Sequence, residues 1–143
     1  MLKQDLQIKQ ILQEAKTIAI LGLSPDESKP SNKVAKYLLE QGYRVIPIYP
    51  KGGEILGITA YRTLQEAFSS EAQRGGIDIL DIFRKSEAIL GIAKEVLSLE
   101  VKPKCVWVQL GLFSQESKEI LENQGITYFE NLCIKIEHQR LFE

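Results

Sequence analysis

The residues best suited to hold a ligand follow an apolar run, Thr17-Ile18-Ala19-Ile20-Leu21, and precede a helical stretch that opens near Ser31. Gly22-Leu23-Ser24-Pro25 leaves the run, and Lys29 and Ser31 close the loop. Ser24 and Ser31 offer hydroxyls and Lys29 a positive charge. The first turn of the helix adds unpaired N–H groups at the positive end of its dipole. Such a set suits phosphate oxygens, a pyrophosphate included. The same residues also describe an ordinary loop with Ser31 as the helix cap, and Asp26 and Glu27 weaken the local positive field. Gly22 stands alone. The G-x-G-x-x-G spacing is not met, which argues against an ordinary NAD site.

Four further places carry candidate chemistry. After Ile48-Tyr49 come Pro50 and Lys51, where a dinucleotide fold would place an acidic residue for a ribose hydroxyl. A lysine there suits a phosphorylated ribose, or is simply solvated in a turn. Phe83 and Arg84 end another apolar run; they can lie against a base and bind phosphate, or Phe83 can be core and Ser86 a helix cap. Gln109 and Gly111 end a third run and can meet the uncharged arm of a ligand, although Gly111 also serves a turn. Trp107, mid-run, reads as core. Cys133, near Lys135 and His138, is either an activated thiol or, as the sequence favours, a buried filler.

Apolar periodicity sets the elements that position these residues. Residues 1–15 read as an amphipathic helix with Ile8, Ile11, Leu12 and Ala15 on one face. Strands are expected at 17–21, 44–49, 77–83, 104–110 and 127–129, with Pro47 making the second one edge-like. Helices are expected at 31–41, 86–99 and 114–123, and Thr63-Leu64-Gln65-Glu66 is a capping box that starts a short one. A short extended piece is expected near Gly57-Ile58-Thr59. The tail, alternating Cys133 and Lys135 with Ile134 and Ile136, reads as extended. This order predicts a single α/β domain over 1–143: Rossmann-like and doubly wound, with a mainly parallel five-stranded sheet and helices on both faces. Ligands of such sheets sit beyond the C-terminal strand ends, which selects Gly22–Ser31, Tyr49–Gly53, Phe83–Ser86, Gln109–Phe113 and Asn131–Lys135 as walls.

Composition narrows the function. A chain of 143 residues buries roughly 68–70% of its unfolded surface, enough for a core without staples. A formal charge of −1 gives no general attraction for nucleic acid or an anionic membrane. Two cysteines and one histidine make neither a disulfide framework nor a metal cluster. No apolar run approaches the roughly 20 residues of a membrane span. The start, Met1-Leu2-Lys3-Gln4-Asp5-Leu6, lacks the apolar stretch of a signal peptide, so a cytoplasmic protein is expected. No residue set forms an acid–base pair or a Gly-x-Ser-x-Gly elbow, so no catalytic residue is assigned.

These segments together resemble the CoA-binding domain family of small stand-alone Rossmann-like proteins, related to the nucleotide-binding domain of succinyl-CoA synthetase. The resemblance covers about residues 15–142. It rests on Gly22-Leu23-Ser24-Pro25 with Lys29 and Ser31, Val34-Ala35-Lys36-Tyr37-Leu38, Val45-Ile46-Pro47 with Pro50-Lys51, Gly57 with Tyr61, Asp81-Ile82-Phe83-Arg84, Val106-Trp107-Val108-Gln109-Leu110-Gly111, and Cys133 with Lys135, Glu137 and His138. It implies coenzyme A or an acyl-CoA as ligand. The phosphate loop would fall on Gly22, Ser24, Pro25, Lys29 and Ser31, the second-strand edge on Pro50 and Lys51, the adenine side on Phe83 and Arg84, and the fourth-strand wall on Gln109 and Gly111. The pantetheine arm would run toward Gln109 and Cys133. Two positions depart from the family pattern: Lys29 stands where arginine is common, and Tyr49 where asparagine is common. The implied function is a non-catalytic or accessory CoA-binding module. The alternatives are an enzyme on NADP or another nucleotide, and a partner-binding subunit that has lost its ligand and docks through its N-terminal helix. A protein partner or a homo-oligomer is left open.

Overall fold

The computed structural model describes residues 2–142. Helix α1 (Lys3–Glu14) leads into strand β1 (Thr17–Leu21), helix α2 (Pro30–Glu40) and strand β2 (Arg44–Ile48). Two short strands, β3 (Glu54–Ile55) and β4 (Ile58–Thr59), precede helix α3 (Leu64–Glu71). Then come β5 (Ile79–Ile82), α4 (Ser86–Ser98), β6 (Cys105–Val108), α5 (Gln115–Glu122), β7 (Thr127–Phe129) and α6 (Ile134–Phe142).

The main sheet has the order β2-β1-β5-β6-β7, and every pairing in it is parallel. Pro47 lies in β2, the edge strand, where its missing N–H breaks no ladder. β3 and β4 form a separate antiparallel hairpin, the extended piece expected near Gly57. Alternate strand residues feed two cores, as they must in a sheet covered on both faces. Ala19, Leu80, Val106 and Tyr128 pack with α3, α4 and α5, while Ile18, Ile20, Ile79 and Trp107 pack with α1, α2 and α6. The chain leaves β1 toward β2 on one side and later returns to β5 on the other. The strand order therefore reverses at β1, which places the switch point between β1 and β5.

Two expectations about elements are corrected. The tail is helix α6, not an extended piece. An alternation of four residues fits both periods; Ile134, His138 and Leu141, four and then three residues apart, pack inward and settle the helical one, while Ile136 faces out. Helix α2 begins at Pro30, one residue before the expected start, because proline's fixed φ and absent N–H suit a first helical position. Lys29, rather than Ser31, is thus the residue before the helix. Thr63 caps α3 as read, its Oγ1 accepting from Glu66 N at 3.1 Å.

Helix α1 is part of the core. Ile8 and Leu12 are fully buried, and Arg140 on α6 donates to both carboxylate oxygens of Asp5, at 2.6 and 3.1 Å.

Candidate functional site

The loop from β1 to α2 is closed by its own short polar side chains. Ser24 N donates to Ser31 Oγ (3.0 Å), and Asn32 Nδ2 donates to Ser24 O (2.9 Å). Asp26 N donates to Ser24 Oγ (3.1 Å), while Ser28 donates to Asp26 Oδ1 through both its N–H and its hydroxyl. These bonds from Ser28 hold the Asp26 carboxyl below its usual range. Ser24 and Ser31 therefore spend acceptor capacity inside the loop and keep their hydroxyl protons to donate. Pro25 and Lys29 are exposed on the loop.

Gly22 makes the loop possible. Its φ is +88°, and a Cβ there would stand 2.5 Å from Phe83 O and 3.1 Å from Arg84 Cδ. The end of β1 thus lies directly against the end of β5, and the chain must be bare at that point.

A cleft of about 610 Å³ opens beyond these strand ends, a volume usual for small-molecule sites. Pro30 and Val34 of α2 form one side, and Phe83, Arg84 and Lys85 form the floor beyond β5. Gln109, Leu110 and Leu112 follow β6, and Cys133 and Ile136 close the α6 side. Four expected site residues, Phe83, Arg84, Gln109 and Cys133, are thus brought together. Gly22, Ser24, Pro25, Lys29, Ser31 and Gly111 are not part of its lining. Gly111, with φ +85°, donates its N–H to Asn131 Oδ1 (2.8 Å) and ties the β6 end to the segment leading into α6. Pro50 and Lys51 do not reach the cleft. They sit exposed in the turn after edge strand β2, and Tyr49–Gly53 contributes none of its lining. A second hollow, at the N-terminal strand ends by Asp78, Lys104 and Thr127, holds only about 100 Å³, too little for a nucleotide cofactor.

Cys133 is half-buried on the cleft wall, so the filler reading falls to Cys105, which is fully buried in β6. Burial, with Asp81 adding to it, pushes the Cys105 thiol up. His138 does not serve Cys133: its Nδ1 meets Tyr37 Oη at 2.7 Å and its ring stacks on Phe142. Lys135 Nζ lies over the Tyr37 ring. Ser86 opens α4 rather than capping it, and its Oγ accepts from Phe113 N (3.1 Å). Trp107 is core as read, donating from Nε1 to Leu132 O (2.8 Å).

Sequence reasoning missed Asn32 and the apolar lining at Val34 and Ile136. Among the described residues no group of three or more metal-binding side chains occurs, and no helix is long and apolar enough to cross a membrane.

Comparison with known proteins agrees with this geometry. Residues 16–139 match a family described as CoA binding domain. The chain is 39% identical over 132 residues to the uncharacterized protein YneT of Bacillus subtilis (strain 168), with 92% of each chain covered. It is similar to the solved structure of cell-free ID.343 from Thermus thermophilus at 38% identity and a TM-score of 0.85, covering 96% of this chain and 98% of that one. A hypothetical protein from Pyrococcus horikoshii OT3 gives a TM-score of 0.85 at 31% identity, covering 97% and 92% of the two chains.

Proposed function

The chain belongs to the CoA-binding domain family, and from that premise we propose that it binds coenzyme A or an acyl-CoA as a small accessory module rather than as a self-contained enzyme. One observation carries the reading: a mostly apolar cleft, with Arg84, Lys85 and Gln109 as its polar lining, opens at the switch point next to the polar loop that ends at Pro30. Coenzyme A has the same division, a phosphorylated nucleotide joined to a long uncharged arm. In this reading the diphosphate lies on the loop before α2, served by Ser24, Ser31 and Lys29. The adenine lies near Phe83 and Arg84, and the pantetheine arm runs toward Gln109 and Cys133. The NADP alternative has less support because Gly22 stands alone, without the G-x-G-x-x-G spacing of a dinucleotide site.

Isothermal titration with CoA, acetyl-CoA, NADP and NAD tests the proposal. Saturable binding of CoA or acetyl-CoA, with neither dinucleotide binding, is the expected result. Binding of NADP alone, or of none of the four, overturns it.

A further inference from the structure

Two groups on the cleft wall are left unused by the architecture. Cys133 immediately precedes α6, and its carbonyl accepts from Glu137 N (3.0 Å). Its side chain therefore sits at the positive end of a nine-residue helix. Beside it, Gln109 is only 5% exposed, and its Oε1 accepts from Ile134 N at 3.3 Å. A peptide N–H must meet an oxygen, so this contact fixes which way the carboxamide is turned. Among the described residues Nε2, a donor of two protons, then has no hydrogen-bond partner. The peptide that Gln109 grips is the one joining Cys133 to Ile134, so thiol and free amide share one wall.

We propose that Cys133 accepts the acyl group of a bound acyl-CoA by thioester exchange, with Gln109 Nε2 holding the thioester's carbonyl oxygen. The inference rests on the CoA-binding reading above. Cys133 loses its proton to solvent water, and its sulfur attacks the carbonyl carbon. The bond from that carbon to Cys133 forms, the bond to the CoA sulfur breaks, and the CoA sulfur leaves with the electron pair and takes up a proton. One thioester replaces another; nothing is oxidised or reduced, and no co-reactant is needed. Negative charge gathers on the carbonyl oxygen at the tetrahedral stage, where a pre-placed amide donor and the positive helix end stabilise it. Leu110, Leu112 and Ile136 give the acyl chain an apolar wall, so the substrate class is an acyl-CoA with an apolar acyl group. Fully buried Cys105 is an internal control.

The full chain is incubated with acetyl-CoA and with hexanoyl-CoA, then followed by intact mass, peptide mapping and release with neutral hydroxylamine. The expected product carries one acyl group on the Cys133 peptide, faster from hexanoyl-CoA, and none forms in Cys133→Ser. The native chain should outpace the denatured chain, in which both thiols are open. Gln109→Glu keeps the acceptor for Ile134 N but removes the donor, and should slow acylation roughly 100-fold, the usual scale for one such donor. CoA titration of the same samples separates the two readings. CoA bound with no acyl group on Cys133, acyl groups on Cys105 or lysines instead, or equal native and denatured rates overturns the acyl-acceptor role alone. Wild-type rates in Gln109→Glu overturn the role of Gln109. No CoA binding overturns both readings.

Discussion

The two sides of the cleft are built on opposite terms. On the β1–α2 side, short polar side chains bond to one another, and Asn32, Ser31 and Asp26 hold the loop in one shape. On the α6 side the exposed groups are apolar, with Leu110 63% and Ile136 52% exposed, and the buried Gln109 keeps half its carboxamide unused. The first side is rigid because it has satisfied itself. The second has contacts still to make. The difference divides the labour: a self-bonded loop can present hydroxyl protons and a helix end to an anion without rearranging, whereas an apolar wall gains only when something covers it.

The largest effect should come from Gly22, where the loop meets the end of β5. Gly22→Ala imposes a Cβ at positive φ and drives it against Phe83 O. The combined strain should cost about 3 kcal/mol or more in urea unfolding, together with loss of CoA affinity. A variant with wild-type stability and binding would mean that the β1 and β5 ends do not need this close approach. Next comes the loop itself. Asn32→Ala leaves Ser24 O without its donor and should cost about 2 kcal/mol. Ile136→Ala on the opposite wall, at an exposed position, should stay within about 0.5 kcal/mol of wild type. Equal losses in the two variants would break the comparison between self-satisfied loop and open wall.

The same contrast explains what the sequence made legible. The β1–α2 loop could be read because its signals are local: a glycine at a strand end and serines seven residues apart. The parallel sheet followed from apolar runs alternating with helical stripes, and the pocket's position followed from the reversal of strand order. The α6 side could not be read in this way. Its tail offered too few residues to separate a period of two from 3.6, and the deciding contacts, from Ile134, His138 and Leu141 to the core, are long-range. Lys51 stands apart from the cleft for a related reason: it follows β2, the edge of the sheet, two strands from β5.

Asp81 tests whether these effects are confined to the walls. It lies in the central strand β5, just before Phe83 in the chain, fully buried, and both its oxygens lack hydrogen-bond partners among the described residues. Burial holds its carboxyl well above the usual range. The native state therefore keeps a proton that the unfolded chain releases above its own pKa of about 3.9. The stability contributed by this group is whole below that pH and falls as pH rises toward the native value, by about 1.4 kcal/mol per pH unit. Asp81→Asn removes this slope. Its melting temperature relative to wild type should rise steadily from pH 4 upward, while CoA affinity stays with the walls. Parallel stability curves for the two proteins would show that Asp81 is ionised in both states.

The smallest effect belongs to Lys29, the charge that the loop has left free for a ligand. It is exposed, so solvent and salt screen whatever it contributes to a bound phosphate. Lys29→Ala should weaken CoA binding only about two- to five-fold, and less at high ionic strength. Lys29→Arg should tighten it, because a guanidinium can meet two phosphate oxygens at once. Calorimetric titration of the three proteins at two salt concentrations measures both changes. A loss far above ten-fold in Lys29→Ala would mean that the lysine, rather than the hydroxyls and helix end of the self-bonded loop, is the main anchor of the anion. The division between a preorganised polar side and an open apolar side would then have to be redrawn around a single flexible charge.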